Sequence, residues 1–369
     1  MINFSIPKTL AFLPATKRLA LRKPFVMRKW AYLSFGLLLC GCGGANSAST
    51  SGLTHNYLGT QAPGDVWSWQ LTDTSFTATN QTLNFHYSGA KSTLPTGFMK
   101  LTVATTDDPG VTVGQAAYAL ELPGTALLIK PVGGDTKPPI VASSLGSNPA
   151  GPQVKFNFVA IGKVGFNAAT DQTYGRTTLN VSGNSYTGIT HQWANDGTQL
   201  ADGNANLTGD NGLMTDLNGP NGVPVKGAMT PSGVCVLDYG PNFGGIIGVK
   251  QPAANIDLTD LASRHFKGFL INQGKTQCVD VTTNGDGTLH GHGYALPAGV
   301  EDGTFDGGGG PTLSFTSQPS PGEITVRLAF GNGFEDMAAA INVVSGKYMM
   351  FCCGVGQDGK PYNVILVEN

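Results

Sequence analysis

Glutamate is scarce in this chain, and so are the runs that build helices. Of 24 acidic residues, five are Glu (Glu121, Glu301, Glu323, Glu335 and Glu368) and the other 19 are Asp. Aspartate favours turns and caps, whereas glutamate is among the better helix formers. No GxSxG elbow, HExxH pair or P-loop occurs, so the signatures of serine hydrolases, zinc proteases and P-loop nucleotide enzymes are missing. No CxxC pair is present, which removes the usual redox centre. Nowhere do about 20 apolar residues run together, so a membrane-spanning helix is not expected. Basic charge is also short. Seven of the 22 Lys and Arg precede residue 42, leaving 15 against 24 acids, a net charge of −9 for the remainder. An acidic body of that kind argues against nucleic acid and against lying flat on an anionic leaflet.

What the chain does contain begins with LLLCGCGG, Leu37 to Gly44. Arg28 and Lys29 precede an apolar stretch from Ala31 to Leu39, the pattern of a secretory signal. Leu39-Cys40-Gly41-Cys42 resembles the lipobox of bacterial lipoproteins: an aliphatic residue at minus three, a small one at minus one, then the cysteine. The resemblance covers about residues 27–44. It implies that residues 1–41 are a signal peptide, that Cys42 carries a covalent lipid of several acyl chains, and that Cys40 leaves with the signal. Choosing Cys40 instead would put bulky Leu39 at minus one. Met27 opens a compact signal and is the expected native start. Gly43 follows the lipidated cysteine where inner-membrane retention favours Asp, so the resemblance implies the outer membrane. Several acyl chains give stable anchoring where one is marginal, so the lipid is the expected membrane partner.

Residues 42–55 read as a flexible tether, rich in Gly, Ser and Ala. Beyond it, alternation dominates. Trp67, Trp69 and Leu71 share a strand face, as do Leu83, Phe85 and Tyr87, Met99, Leu101 and Val103, and Val154, Phe156 and Phe158. Asn-Gly and Asp-Gly pairs at Asp196, Asp202, Asn211, Asn284, Asp286, Asp302 and Asp358 signal hairpins. The expected fold class is all-β: two or three barrels or sandwiches of antiparallel hairpins in units 56–150, 153–253 and 257–369. A single small core does not cover about 315 residues. A loose repeat of about one hundred residues is suggested. Its opening hairpins are DVWSWQLTDTSFTATN, TYGRTTLNVSGNSYTGITHQW and TQCVDVTTNGDGTLHGHGY, and its closing apolar pairs are YALELPGTALLIKP, GVCVLDYGPNFGGIIGVKQ and YMMFCCGVGQDGKPYNVILVE. Short helices are expected at Leu258 to Phe266, capped by Asp257, and at Glu335 to Ile341.

Cys235, Cys278, Cys352 and Cys353 remain after export to an oxidising compartment. Adjacent strand residues point to opposite faces, so Cys352 and Cys353 do not pair together. At least one disulfide joining one of them to Cys235 or Cys278 is expected.

Three candidate sites emerge. His290 and His292 project from one strand face about 7 Å apart by strand rise. With Asp280 they form a two-His-one-carboxylate metal site, provided the intervening turn sets Asp280 opposite His292 rather than Gly291. Solvent-facing strand histidines are the plainer reading. The oxygen-rich DGNANLTGD, Asp202 to Asp210, has the rhythm of a calcium loop, but Leu207 and Leu213 stand where the EF-hand needs Gly and Glu. A polar turn is preferred. Trp67, Trp69 and Trp193 offer stacking surface for a sugar, although Leu71 beside the first two favours a core face. No cofactor beyond the lipid is expected. The preferred function is a binding module for an unidentified ligand, ahead of a structural or adhesive surface protein and a metal-dependent or carboxylate-based hydrolase.

Overall fold

The structure is a computed structural model. It describes residues 53–369 apart from 62–64, 133–138, 162–171, 220–221, 240–243, 273–274, 284–288, 295–311, 331–332 and 357–358. The signal peptide, Cys42 and most of the tether lie outside the described residues.

The body is all-β and folds as three closed eight-stranded barrels in tandem. The first is built from β1 (His55–Gln61), β2 (Asp65–Leu71), β3 (Ser75–Asn80), β4 (Phe85–Thr93), β5 (Met99–Thr106), β6 (Ala116–Leu122), β7 (Ala126–Lys130) and β8 (Ile140–Ser144). The second comprises β9 (Gln153–Ile161), β10 (Thr173–Ser182), β11 (Ser185–Ala194), β12 (Gly203–Asp210), β13 (Leu213–Asp216), β14 (Val225–Met229), β15 (Val234–Asp238) and β16 (Gly245–Lys250). The third comprises β17 (His265–Asn272), β18 (Lys275–Thr283), β19 (Leu289–Tyr294), β20 (Thr312–Ser320), β21 (Glu323–Phe330), β22 (Gly333–Val344), β23 (Lys347–Val355) and β24 (Pro361–Glu368). Each runs up and down and closes by antiparallel pairing of its first and last strands, as in Gly59↔Ala142, Ile247↔Val159 and Phe269↔Ile365. Closure removes the free edges that would otherwise recruit other chains.

Local chemistry explains the tight connections. Asn211 and Gly212 both take positive φ (50° and 87°), as do Ser345 and Gly346 (52° and 80°), the geometry of two-residue type I′ turns. They join β12 to β13 through the pair Asp210↔Leu213, and β22 to β23 through Val344↔Lys347.

Alternation holds where one strand face meets the barrel lumen and the other meets water. It fails in the closing strands, which are apolar on both faces. All five residues of β7 are buried, as are all five of β15 and seven consecutive residues of β23. Their inner faces line barrels. Their outer faces meet outer faces of the other barrels in one shared core. Leu128 and Val141 of the first barrel, Val236 and Ile247 of the second, and Phe269, Phe351 and Ile365 of the third all belong to it. The rings of Phe98 and Phe269 meet across the first and third barrels with centroids 6.0 Å apart. Hydrogen bonds frame this core: Ser143 with Thr230 at 3.0 Å, Thr125 with Ser345 at 2.6 Å, and the Gln172 amide donating to the Tyr362 carbonyl at 2.8 Å. Thr125, Thr230 and Ser345 occupy the same connection in each barrel, between its sixth and seventh strands.

Several expectations need correction. Glu335 to Ile341 is not helical; it lies inside β22, where Ala338, Ala339 and Ala340 pair with both neighbouring strands and the last two are buried. Helix propensity is a weak preference, and two flanking strands override it. The helix expected from Leu258 shortens to one 3-10 turn, Leu258–Leu261, although Asp257 does cap it, accepting from the Thr259 backbone N–H. The segment Asp202 to Asp210 is neither calcium loop nor turn: it is strand β12 preceded by Asp202, and an extended strand spreads its oxygens along an edge instead of wrapping them round an ion. The closing pair YALELPGTALLIKP is the sixth and seventh strands of its barrel, whereas the other two pairs are the seventh and eighth.

The expected disulfide does not form; Cys235, Cys278, Cys352 and Cys353 are free and buried. Strand order explains why. Cys278 on β18 and Cys352 or Cys353 on β23 are separated by β17 and β24. That is about three strand spacings, or ~14 Å, where a bridge needs Cα atoms within about 7 Å. Cys235 belongs to the interior of a different barrel.

Phe269→Ala should test the shared core. Deleting a fully buried ring is expected to lower unfolding free energy by about 3–5 kcal/mol, read from urea denaturation. Leu83→Ala, at a 54% exposed position, should stay within about 0.5 kcal/mol.

Candidate functional site: the second barrel

The three lumens are filled differently. In the first barrel Trp67 and Trp69 point inward with Tyr57, Phe76 and Leu101. The two indoles stack at 5.8 Å, Trp67 meets Tyr87 at 5.5 Å, and both tryptophans are buried, at 7% and 6% exposure. They are core, and neither offers a face to a surface ligand. The third barrel is filled by Phe266, Met337, Tyr348, Met350 and Tyr362.

The second barrel is packed only in part. Tyr186, Met214, Met229, Leu179 and Val154 fill part of its lumen. Elsewhere the wall residues are small: Ala160 on β9, Thr173 and Thr177 on β10, Thr190 on β11, and Gly203 and Ala205 on β12 all line a cavity of about 310 Å³. Phe156, Leu207, Val225 and Leu237 supply its apolar wall. That volume lies at the lower end of the range for small-molecule pockets.

Polar groups are few and placed. Thr177 and Thr190 face one another in register, and their hydroxyls bond at 2.9 Å. The Asp216 side chain, the Tyr239 phenol and the Cys235 thiol also line the space. Burial pushes the Cys235 thiol up to about 12, and burial, then Cys235 and Asp216, raise the Tyr239 phenol. Both groups are therefore neutral hydrogen-bonding groups near neutral pH.

Unequal strand lengths leave a slot in the hydrogen-bonded wall beside the cavity. β12 begins at Gly203, but its pairing with β13 starts only at Thr208, and β13 ends at Asp216. Among the described residues, Gly203 to Leu207 thus pair on one side only, with β11. Exposed Asn204 and Asn206 line this edge of the cavity. The slot was not visible in the sequence, because it depends on where one strand stops relative to its neighbour.

Trp193 lies on the outer wall of the same barrel. Tyr174 stacks against it at 5.9 Å, and the Arg176 guanidinium sits 4.9 Å from the ring centroid. His191, bonded to Asp202 at 2.8 Å, and Lys155 share this shallow surface. The indole is half-buried and already carries two protein groups, so a sugar would have to displace one of them to stack.

The strand register resolves the histidine pair. Asp280 pairs with His292 and Thr282 with His290, the alternative that favours a metal cluster. The Asp280 carboxylate, however, is bound by His265 of β17. Among the described residues no group of three or more His, Cys, Asp or Glu converges as metal ligands. The His290 and His292 side chains lie outside the described residues. Compared with known proteins, the chain matches no family and no curated protein.

Cys235 reports on the slot. A small maleimide should modify it before Cys278, Cys352 and Cys353, which become reactive only on unfolding. Because its thiol is held near 12, the alkylation rate should rise about tenfold per pH unit from 7 to 9 without a plateau. Mass mapping of modified peptides checks both expectations.

Proposed function

We propose that this chain is a lipid-anchored binding protein of the bacterial envelope, tethered through Cys42 to the outer membrane, with a small-molecule site in its second barrel. The observation that carries the binding reading is the cavity: a closed barrel in which small residues leave about 310 Å³ beside a lateral slot. Eight-stranded barrels are just wide enough to be filled by side chains or to hold one small ligand. A compact, uncharged, ring-sized molecule suits the wall, with its apolar face on Phe156 and Leu237 and one polar group at the Thr177–Thr190 pair. The lipobox and the acidic body support the envelope placement, since the lipid alone then holds the body near the membrane.

Native mass spectrometry of protein extracted from envelopes in mild detergent tests the cavity. Wild type should carry a non-covalent small molecule. Ala205→Phe, which places a ring in the cavity, should fold and lose it. An empty wild type, or a variant that retains the molecule, sinks the reading. The anchor is tested by feeding a fatty-acid analogue: Cys42→Ala should take up no label and should leave the membrane fraction.

A further inference from the structure

Where the first barrel faces the third, a cleft of about 250 Å³ is lined by Lys91, Glu121, Lys267, Lys347 and Glu368, with the Gly97 turn at its wall. Lys267 occupies an outward position on β17, between His265 and Phe269 in the alternation, yet it is only 8% exposed. Its ammonium rests against Gly97. A Cβ built at Gly97 would lie 2.5 Å from Lys267 Nζ, and Gly97 has a φ of +86°, so this turn both needs glycine and leaves the space the amine occupies.

The carboxylates nearby are already engaged. Glu121, on the inner face of β6, accepts from His55 Nδ1 at 2.6 Å and from the Tyr57 hydroxyl at 2.7 Å, and its other oxygen lies 3.6 Å from Lys91. Glu368 is held by Arg264 and by the backbone N–H of Tyr348 at 2.9 Å. Asp280, opposite Lys267 in register, is bonded to His265. Lys267 and Lys347 are thus left without a hydrogen-bond or ion-pair partner among the described residues. The Lys267 stem is buried while its ammonium still reaches water at the cleft, so an anion entering there meets a cation with no other counter-charge bonded to it.

We propose that this cleft is an anion site for a phosphate group, whose oxygens bridge Lys267 and Lys347 with Lys91 on a third side. The geometry suits a compact, doubly charged anion. Several N–H donors face one small space, the local carboxylates are neutralised by their own partners, and the volume takes one phosphate or phosphomonoester and no long polyanion. Charge-assisted bonds from Lys267 and Lys347 supply most of the affinity, with Lys91, 3.6 Å from Glu121, adding positive charge on the third side. The phosphate can be free or can belong to a lipid headgroup. The site is separate from the second-barrel cavity and stands or falls independently of it.

The test titrates the full-length chain in non-ionic detergent with inorganic phosphate, and in parallel with micelles doped with phosphatidic acid, following the melting temperature and calorimetric heat. Saturable binding is expected in at least one arm. Binding in both points to any accessible phosphate, and binding only in the doped micelles points to a lipid headgroup. Lys347→Gln, at a half-buried position, should weaken binding about tenfold, the size expected for one charge-assisted bond. Gly97→Ala should weaken it further by displacing the Lys267 ammonium. Lys226→Gln, an exposed lysine on the second barrel, should change nothing. No saturable binding in either arm overturns the proposal, as does binding that both cleft variants leave unchanged or that chloride abolishes at an equal concentration.

Discussion

The outer walls of three barrels bury one another, and this shared apolar contact sets the conditions for the rest of the molecule. Phe98, Leu128 and Val141 from the first barrel, Val159, Val236 and Ile247 from the second, and Phe269, Phe351 and Ile365 from the third form a single core outside every lumen. Burying side chains of this size contributes about 1.5–3 kcal/mol each. The contact also explains why seven successive residues of β23 are buried, an arrangement otherwise typical of sheets covered on both sides. Because those strands are committed to the junction, water-facing function is left to the opposite walls and to the clefts where barrels meet.

With the barrels fixed this way, their lumens are free to differ. Stacked tryptophans close the first, and phenylalanine, tyrosine and methionine close the third. The second substitutes Ala160, Thr173, Thr177, Thr190, Gly203 and Ala205 at lining positions and keeps a cavity. A void of that size forfeits packing that the other two barrels retain. The shared wall lets the chain tolerate it, because β9, β15 and β16 of the second barrel draw support from outside the lumen as well as inside.

Charged groups follow the same logic. The buried carboxylates Glu121 and Glu368 each gather several partners, as groups withdrawn from water must. Among the described residues at that junction, Lys267 has no such partner. The same economy of burial accounts for the four free thiols. Desolvation holds Cys235 and Cys278 near 12, far from reactive, so little thiolate forms near neutral pH.

Period-two alternation, the Asn-Gly turn at Asn211 and the shortage of glutamate determined the fold class, because each acts through neighbours in the chain: strand faces, positive φ and weak helix propensity. The apolar runs ALLIK, VCVLD and YMMFCCG were equally visible as strands, but that both their faces are buried came only from the contact between barrels. What lies across the fold from a residue was not visible. EDMAAAI reads as helix until β21 and β23 claim it on either side. Trp67 and Trp69, for which Leu71 on the same face favoured a core position, do line a lumen, while Trp193 lies on an outer wall, since alternation gives the period but not which face turns inward. The cavity is a sum of small side chains from β9 to β12, and the lysine-lined cleft joins Gly97 to Lys267 across two barrels. Neither sum exists until the barrels close and meet, because volume and charge balance are properties of facing surfaces, which only the tertiary structure brings together.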